Sequence, residues 1–134
     1  MKILTFGTFD GIHEGHRVML RAARSSGASL AQSTGREAMN YLIVAVAPDS
    51  VVKEIKGALP KYNSAKRIAM VRAEHIADDV VLGDVKQGEW RILKKYKPDI
   101  IAVGYDQDAL KQALIDYYEN SEKKPTIIVL PYHK

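Results

Sequence analysis

Two histidines three residues apart, His13 and His16, close the span GTFDGIHEGH (Gly7–His16), which holds the residue types of a phosphate-handling turn. An imidazole N–H can donate to a phosphate oxygen whether the ring is neutral or charged. At the opening turn of a helix, side chains three apart project toward one point. Gly7 and Gly11 let the backbone come close to a ligand, and Gly15 lets the start of the helix pack near it. A helix N-terminus adds free N–H groups and the positive end of the helix dipole. Other chemistries have less support. The chain has no cysteine, which excludes a thiol nucleophile, a thiolate zinc site, an iron–sulfur cluster and a disulfide framework together. His75 and His133 are the only other histidines, and neither lies at a local ligand spacing from the pair, so no protein-borne metal site is expected.

The turn follows one short apolar run and precedes a helical pattern, and that alternation continues along the chain. The apolar runs are Ile3–Phe6, Tyr41–Ala47, a weaker Asp79–Leu82, Ile100–Val103 and Thr126–Leu130. Continuous rather than alternating apolar residues mark strands buried on both faces. Helices are expected at His16–Ser25, Ser64–Ile76, Gln87–Tyr96 and Gln107–Glu119, with Ser64 as an N-cap and Lys97-Pro98 closing the third. Strand and helix in alternation define an α/β fold with a parallel sheet. One three-layer domain is expected to occupy residues 1–134, a usual domain length. The Ser, Gly and Ala-rich stretch Ser25–Asn40 breaks the rhythm, and a loop with a short second helix is expected there.

With 46% hydrophobic and 27% charged residues, the chain is not an intrinsically disordered one. Its formal charge of +4 is concentrated in residues 41–72, where six basic side chains face two acidic ones. Lys53, Lys56, Lys61, Lys66, Arg67 and Arg72 are separated by apolar and small residues, which suits an ordered surface better than a nucleic-acid-binding arm. Only Trp90 and scattered tyrosines could stack on bases, and no aromatic RNA-binding motif is present, so no nucleic-acid partner is expected. No uncharged run approaches the roughly 18–20 residues that span a bilayer, and the opening apolar stretch is too short for a signal sequence. No membrane partner and a cytoplasmic location are the expectations.

These residues carry a family resemblance. GTFDGIHEGH resembles the GTFDxxHxGH signature of the cytidylyltransferase-like nucleotidylyltransferases. VAVAPDSVVKEIKG (Val44–Gly57) is similar to that family's second strand and the lysine-bearing loop after it, and KRIAMV (Lys66–Val71) to its arginine-bearing helix. PDIIAVGYDQ (Pro98–Gln107) resembles its fourth strand and nucleotide-contacting turn; with GxDQ, it most resembles the archaeal FAD synthases, which are FMN adenylyltransferases. Glycerol-3-phosphate cytidylyltransferases are the next nearest group.

The resemblance implies a Rossmann-like domain with a five-stranded parallel sheet in the order 3-2-1-4-5. It implies that Thr8 and Phe9 contact the nucleotide through the first turn, with Gly7, Glu14 and Gly15 in the same binding segment. His13 and His16 would hold the triphosphate and stabilise the transferring α-phosphate. Lys56, with Lys53 as the nearby alternative, would bind phosphate, and Arg67 would reach the phosphates; for Lys56 and Arg67 the plain alternative is a solvated surface charge. Gly104 and Asp106 would lie at the base and ribose end, and Asp106 could also cap the last helix. The implied reaction transfers a nucleoside monophosphate from a nucleoside triphosphate to a phosphomonoester with release of pyrophosphate. GYDQ favours ATP with FMN, giving FAD; CTP with glycerol 3-phosphate or a similar phosphorylated alcohol is the alternative. Mg²⁺ would be bound through the substrate phosphates, and a homodimer is implied by analogy.

Two departures accompany the resemblance. Family members carry a serine- and threonine-rich turn after the last strand, whereas VLPYHK stands here, so the β- and γ-phosphates are expected to be held less completely. A nucleotide-binding module without catalysis is the corresponding alternative. Ser25–Asn40 is also longer than the family's usual link between first helix and second strand.

Overall fold

The architecture follows from a computed structural model that describes residues 1–34, 40–86 and 88–130. Strands β1 (Lys2–Gly7), β2 (Tyr41–Val46), β3 (Asp79–Leu82), β4 (Ile100–Val103) and β5 (Thr126–Val129) form one sheet in the order β3-β2-β1-β4-β5. Every pairing is parallel, with Leu4 of β1 in register with Ile43 of β2 and Ile101 of β4. The helices are α1 (Glu14–Thr34), α2 (Asp49–Lys56), α3 (Ser64–Ala73), α4 (Arg91–Tyr96) and α5 (Asp108–Tyr118).

The two-residue period of the central strands divides the core into two layers. Ile3, Leu42, Val44, Val46, Ile100 and Ala102 pack with Leu20 and Ala23 of α1 and Val71 of α3. The intervening residues Leu4, Ile43, Ala45, Ile101 and Val103 pack with Ile92 and Leu93 of α4 and Leu114 of α5. Helices on both faces explain why these strands read as unbroken apolar runs.

The five strands lie where the apolar runs place them, but the helices depart in specific ways. The expected loop and short helix in Ser25–Asn40 are replaced by continuation of α1 to Thr34, with residues 35–39 outside the described residues. A single mid-helix glycine, Gly27, costs about 1 kcal/mol relative to alanine and does not stop a helix among Ala, Leu and Gln.

The segment after β2 is a helix rather than a loop. Pro48 precedes it, Val51 and Val52 anchor it, and Gly57 (φ 79°) ends it with an N–H to Lys53 O. Asn63, not Ser64, caps α3 through its side-chain acceptor for Lys66 N at 2.9 Å. That helix stops at Ala73, short of Ile76, because His75 adopts φ 56°. The third expected helix begins only at Arg91, after Gly88 (φ 89°) and Trp90 (φ 55°); its expected first residue, Gln87, lies outside the described residues. Lys97 does close it.

Candidate active site

β1 and β4 lie side by side at the centre of the sheet, and the chain leaves them toward opposite edges. Beyond the carboxyl ends of two such strands the connections diverge and leave a crevice, the general ligand position of open α/β sheets. Thr8–His13 forms one wall and Gly104–Gln107 the other.

The first wall is a tightly determined turn. Phe9 takes φ 53° and folds its ring under the backbone, where it is 2% exposed. A Cβ on Gly7 would meet that ring at 2.5 Å, so the glycine and the buried phenyl require one another. Gly11 follows at φ 107°, a conformation natural to glycine alone. The Phe9 side chain therefore belongs to the core with Ile3 and Leu20, and only its backbone borders the crevice.

Two side chains fasten this turn to the neighbouring segment. The Asp10 carboxylate accepts Lys61 N at 2.7 Å and Tyr62 N at 2.8 Å, bonds that hold its pKa below the usual aspartate value. Arg67 is fully buried, and all three of its nitrogens donate: Nε to Tyr62 O at 2.9 Å, Nη1 to Thr8 O at 2.8 Å and Nη2 to Asp49 Oδ1 at 2.7 Å. A buried guanidinium is tolerable only when paired and hydrogen-bonded in this way. Arg67 is thus not a solvated surface charge; it lies beneath the turn and ties it to the starts of α2 and α3.

On this support stand the histidines. His13 is exposed and accepts Gly15 N at its Nδ1 at 3.0 Å, capping α1. Its own backbone N–H donates to Nδ1 of His16 at 3.3 Å. The two rings lie 3.8 Å apart between centroids at 30°, and Phe9 flanks His16 at 5.4 Å. Because each Nδ1 accepts a backbone N–H, the hydrogen-bond pattern assigns the proton of each neutral ring to Nε2. Burial lowers the pKa of His16, and the charges of His13, Lys56 and Arg17 push in the same direction. The pair is therefore two adjacent Nε2–H donors at a helix N-terminus. Lys56, in the last turn of α2, is exposed and near enough to bias both His16 and Asp10; Lys53 lies one turn earlier, also exposed. Glu14 turns its side chain along α1 toward Arg17 and Arg21, each at 3.6 Å.

The second wall is organised by Gln107. Its Oε1 accepts Gly104 N at 2.6 Å and its Nε2 donates to Phe6 O at 3.2 Å, joining the end of β4 to the end of β1. A Cβ on Gly104 would lie 3.1 Å from Asp106 Oδ1 and 3.3 Å from Gln107 Oε1, so a side chain here would press on both and crowd the Gln107 amide. Asp106 is exposed and does not cap α5; Gln107 occupies that place without a side-chain cap bond. Sequence reasoning gave no role to Asp10, Asp49 or Gln107. All three stood within quoted motifs, but the bonds that give them their importance join segments far apart in the chain.

Two clefts of about 330 and 320 Å³ lie elsewhere, between α5 and β5 and beside β3 and α4, and neither includes a residue of the histidine turn. Among the described residues no group of three or more His, Asp or Glu could hold a metal ion, and no helix is long and apolar enough to cross a membrane.

A crevice floored by a histidine-bearing helix start thus lies at the switch point of the sheet, and residues 4–129 match the cytidylyltransferase-like family, to which the chain belongs. It is 34% identical over 132 residues to the FAD synthase of Pyrococcus abyssi (strain GE5 / Orsay), covering 98% of this chain and 81% of that protein. The FAD synthase of Pyrococcus horikoshii is 35% identical over 136 residues, with the same coverage of each. Among solved structures, the lipopolysaccharide core biosynthesis protein from Thermoplasma volcanium GSS1 superposes with a TM-score of 0.81 at 24% identity, covering 100% of this chain and 98% of that one, a likeness of fold.

Proposed function

We propose that this protein is an adenylyltransferase that joins ATP and FMN to give FAD and pyrophosphate. A phosphate oxygen of FMN attacks the α-phosphorus of ATP in line, the bond from that phosphorus to the α,β-bridging oxygen breaks, and the electron pair leaves with pyrophosphate. No enzyme nucleophile takes part. The chain's contribution is to position the reactants and to aim donors at the charge that develops on the phosphoryl oxygens. His13 and His16 supply two Nε2–H donors, α1 supplies the positive end of its dipole, and Lys56 supplies a cation for phosphate oxygens. Gly104 and Asp106 border the nucleoside end. Arg67 acts through Thr8 and Tyr62 as a positioning residue. A divalent ion such as Mg²⁺, bound through the substrate phosphates, would neutralise charge on the leaving pyrophosphate.

The observation that carries this reading is the pair of imidazoles whose Nδ1 atoms are both occupied by backbone N–H groups. It is supported by the FAD synthases that the chain resembles over nearly all of its length. The test is incubation of the purified protein with ATP, FMN and Mg²⁺, following FAD and pyrophosphate together, beside a reaction with CTP and glycerol 3-phosphate. FAD and pyrophosphate in equal amounts are expected; pyrophosphate release only with CTP would overturn it.

A further inference from the structure

The apolar stripe of α2 runs past the part of the protein that can bury it. Val51 and Val52 are 7% and 2% exposed, yet Ile55, one helical turn on and on the same face, is 66% exposed. Gly57 then ends the helix, and Leu59 in the following segment is 64% exposed. A single exposed isoleucine or leucine is unremarkable on a soluble protein. Here the two sit four residues apart in a segment that also carries Lys53, Lys56 and Lys61, all exposed, with Glu54 as its one acid. The segment is fastened to the histidine turn, because Asp10 accepts the Lys61 and Tyr62 amides and the charge of Lys56 reaches His16.

Uncovered apolar side chains interleaved with cations beside a phosphate site suit a ligand that is flat and apolar at one end and anionic at the other. A small phosphorylated alcohol has no surface to lay on Ile55 and Leu59. We propose that these two side chains form the docking surface for the tricyclic ring of the acceptor, a planar heteroaromatic phosphomonoester whose phosphate is drawn by Lys56 toward His13 and His16. This inference rests on the FMN adenylyltransferase reading and adds to it the residues that select the acceptor.

The experiment compares the unaltered protein with Ile55→Ser, Leu59→Ser and the double variant. Flavin binding is followed by quenching of FMN fluorescence without ATP, and KM for FMN, KM for ATP and kcat are measured with Mg²⁺ present. Both side chains are solvent-exposed, so circular dichroism and Tm are expected to stay unchanged. The double variant is expected to weaken FMN binding and raise KM for FMN by roughly tenfold, leaving KM for ATP and kcat at saturating FMN as they were. FMN parameters within twofold of the unaltered protein, in a preparation that still makes FAD, would overturn the docking surface and leave the FAD synthase reading standing. A changed oligomeric state on size-exclusion chromatography with unchanged FMN binding would overturn it as well, assigning the patch to contact between copies. Absence of both FMN binding and FAD formation in the unaltered protein would sink the parent reading and this inference together.

Discussion

The backbone N–H of His13 donates to Nδ1 of His16, so the two histidines are locked by the main chain itself, with their rings 3.8 Å apart. The consequence is directional. Each ring has one nitrogen occupied by an amide of its own helix start and leaves Nε2–H as its remaining donor. Replacing either ring by a methyl group removes one preorganised donor without touching the core. His13→Ala and His16→Ala are each expected to lower kcat for FAD formation on the order of 100- to 1000-fold; His13→Ala also removes the cap of α1 and is expected to cost about 1 kcal/mol of stability. Turnover within a few fold of normal in His16→Ala would remove that ring from the machinery.

The lowered pKa of His16 has a defined sign in stability. Its folded value lies below the unfolded value of about 6.5, so near and below that pH the unfolded chain binds more protons and the folded state loses stability. Above it, the histidine contributes no pH dependence. Denaturant midpoints measured across pH 5 to 8 are expected to fall on the acid side, and His16→Gln to flatten that fall. Because protonation of Nδ1 also breaks the bond from His13 N–H, NMR titration of the ring should move the His13 amide resonance in step.

Arg67 and Asp10 act on the turn from different depths. Arg67→Ala leaves Thr8 O and Tyr62 O without their buried donor and is expected to destabilise the fold by about 3 kcal/mol in chemical denaturation. Arg67→Lys keeps the charge but cannot direct three separate N–H groups, so it is expected to recover only part of the loss. Full stability in the lysine variant would show that charge alone suffices.

Gly7 and Phe9 form a pair that a double-mutant cycle can expose. Gly7→Ala drives a methyl group into the Phe9 ring, a clash of the overpacking kind that costs about 1–3 kcal/mol. Phe9→Leu opens a space at the same point. The double variant is expected to be more stable than the sum of the two losses allows, and strict additivity would contradict the contact.

Much of this arrangement was legible in the chain itself. The double-sided burial of the sheet writes itself into runs such as YLIVAV, and the turn between β1 and α1 announces its glycines and histidines within ten residues. α2 was also signalled, by Pro48 before it, lysines in its last turn and Gly57 after it, although family likeness suggested a loop. What local pattern does not display is partnership across distance. Arg67 is typed as a surface cation by its neighbours Lys66 and Arg72, yet its surroundings come from Thr8, 59 positions away, and Asp49, 18 away. Gln107 is similar: its partner Phe6 O lies 101 residues back.

That last bond makes the mouth of the crevice a fixed aperture. The two central strands cannot splay at their carboxyl ends without breaking the bond from Gln107 Nε2 to Phe6 O, while the bond from Gly104 N to Gln107 Oε1 holds that side chain in place. A nucleotide therefore meets a gap whose width is set before it arrives, and little backbone ordering remains to be lost on association. Capture of ATP should then follow a single exponential whose rate scales with concentration, with no slow phase of strand rearrangement behind it.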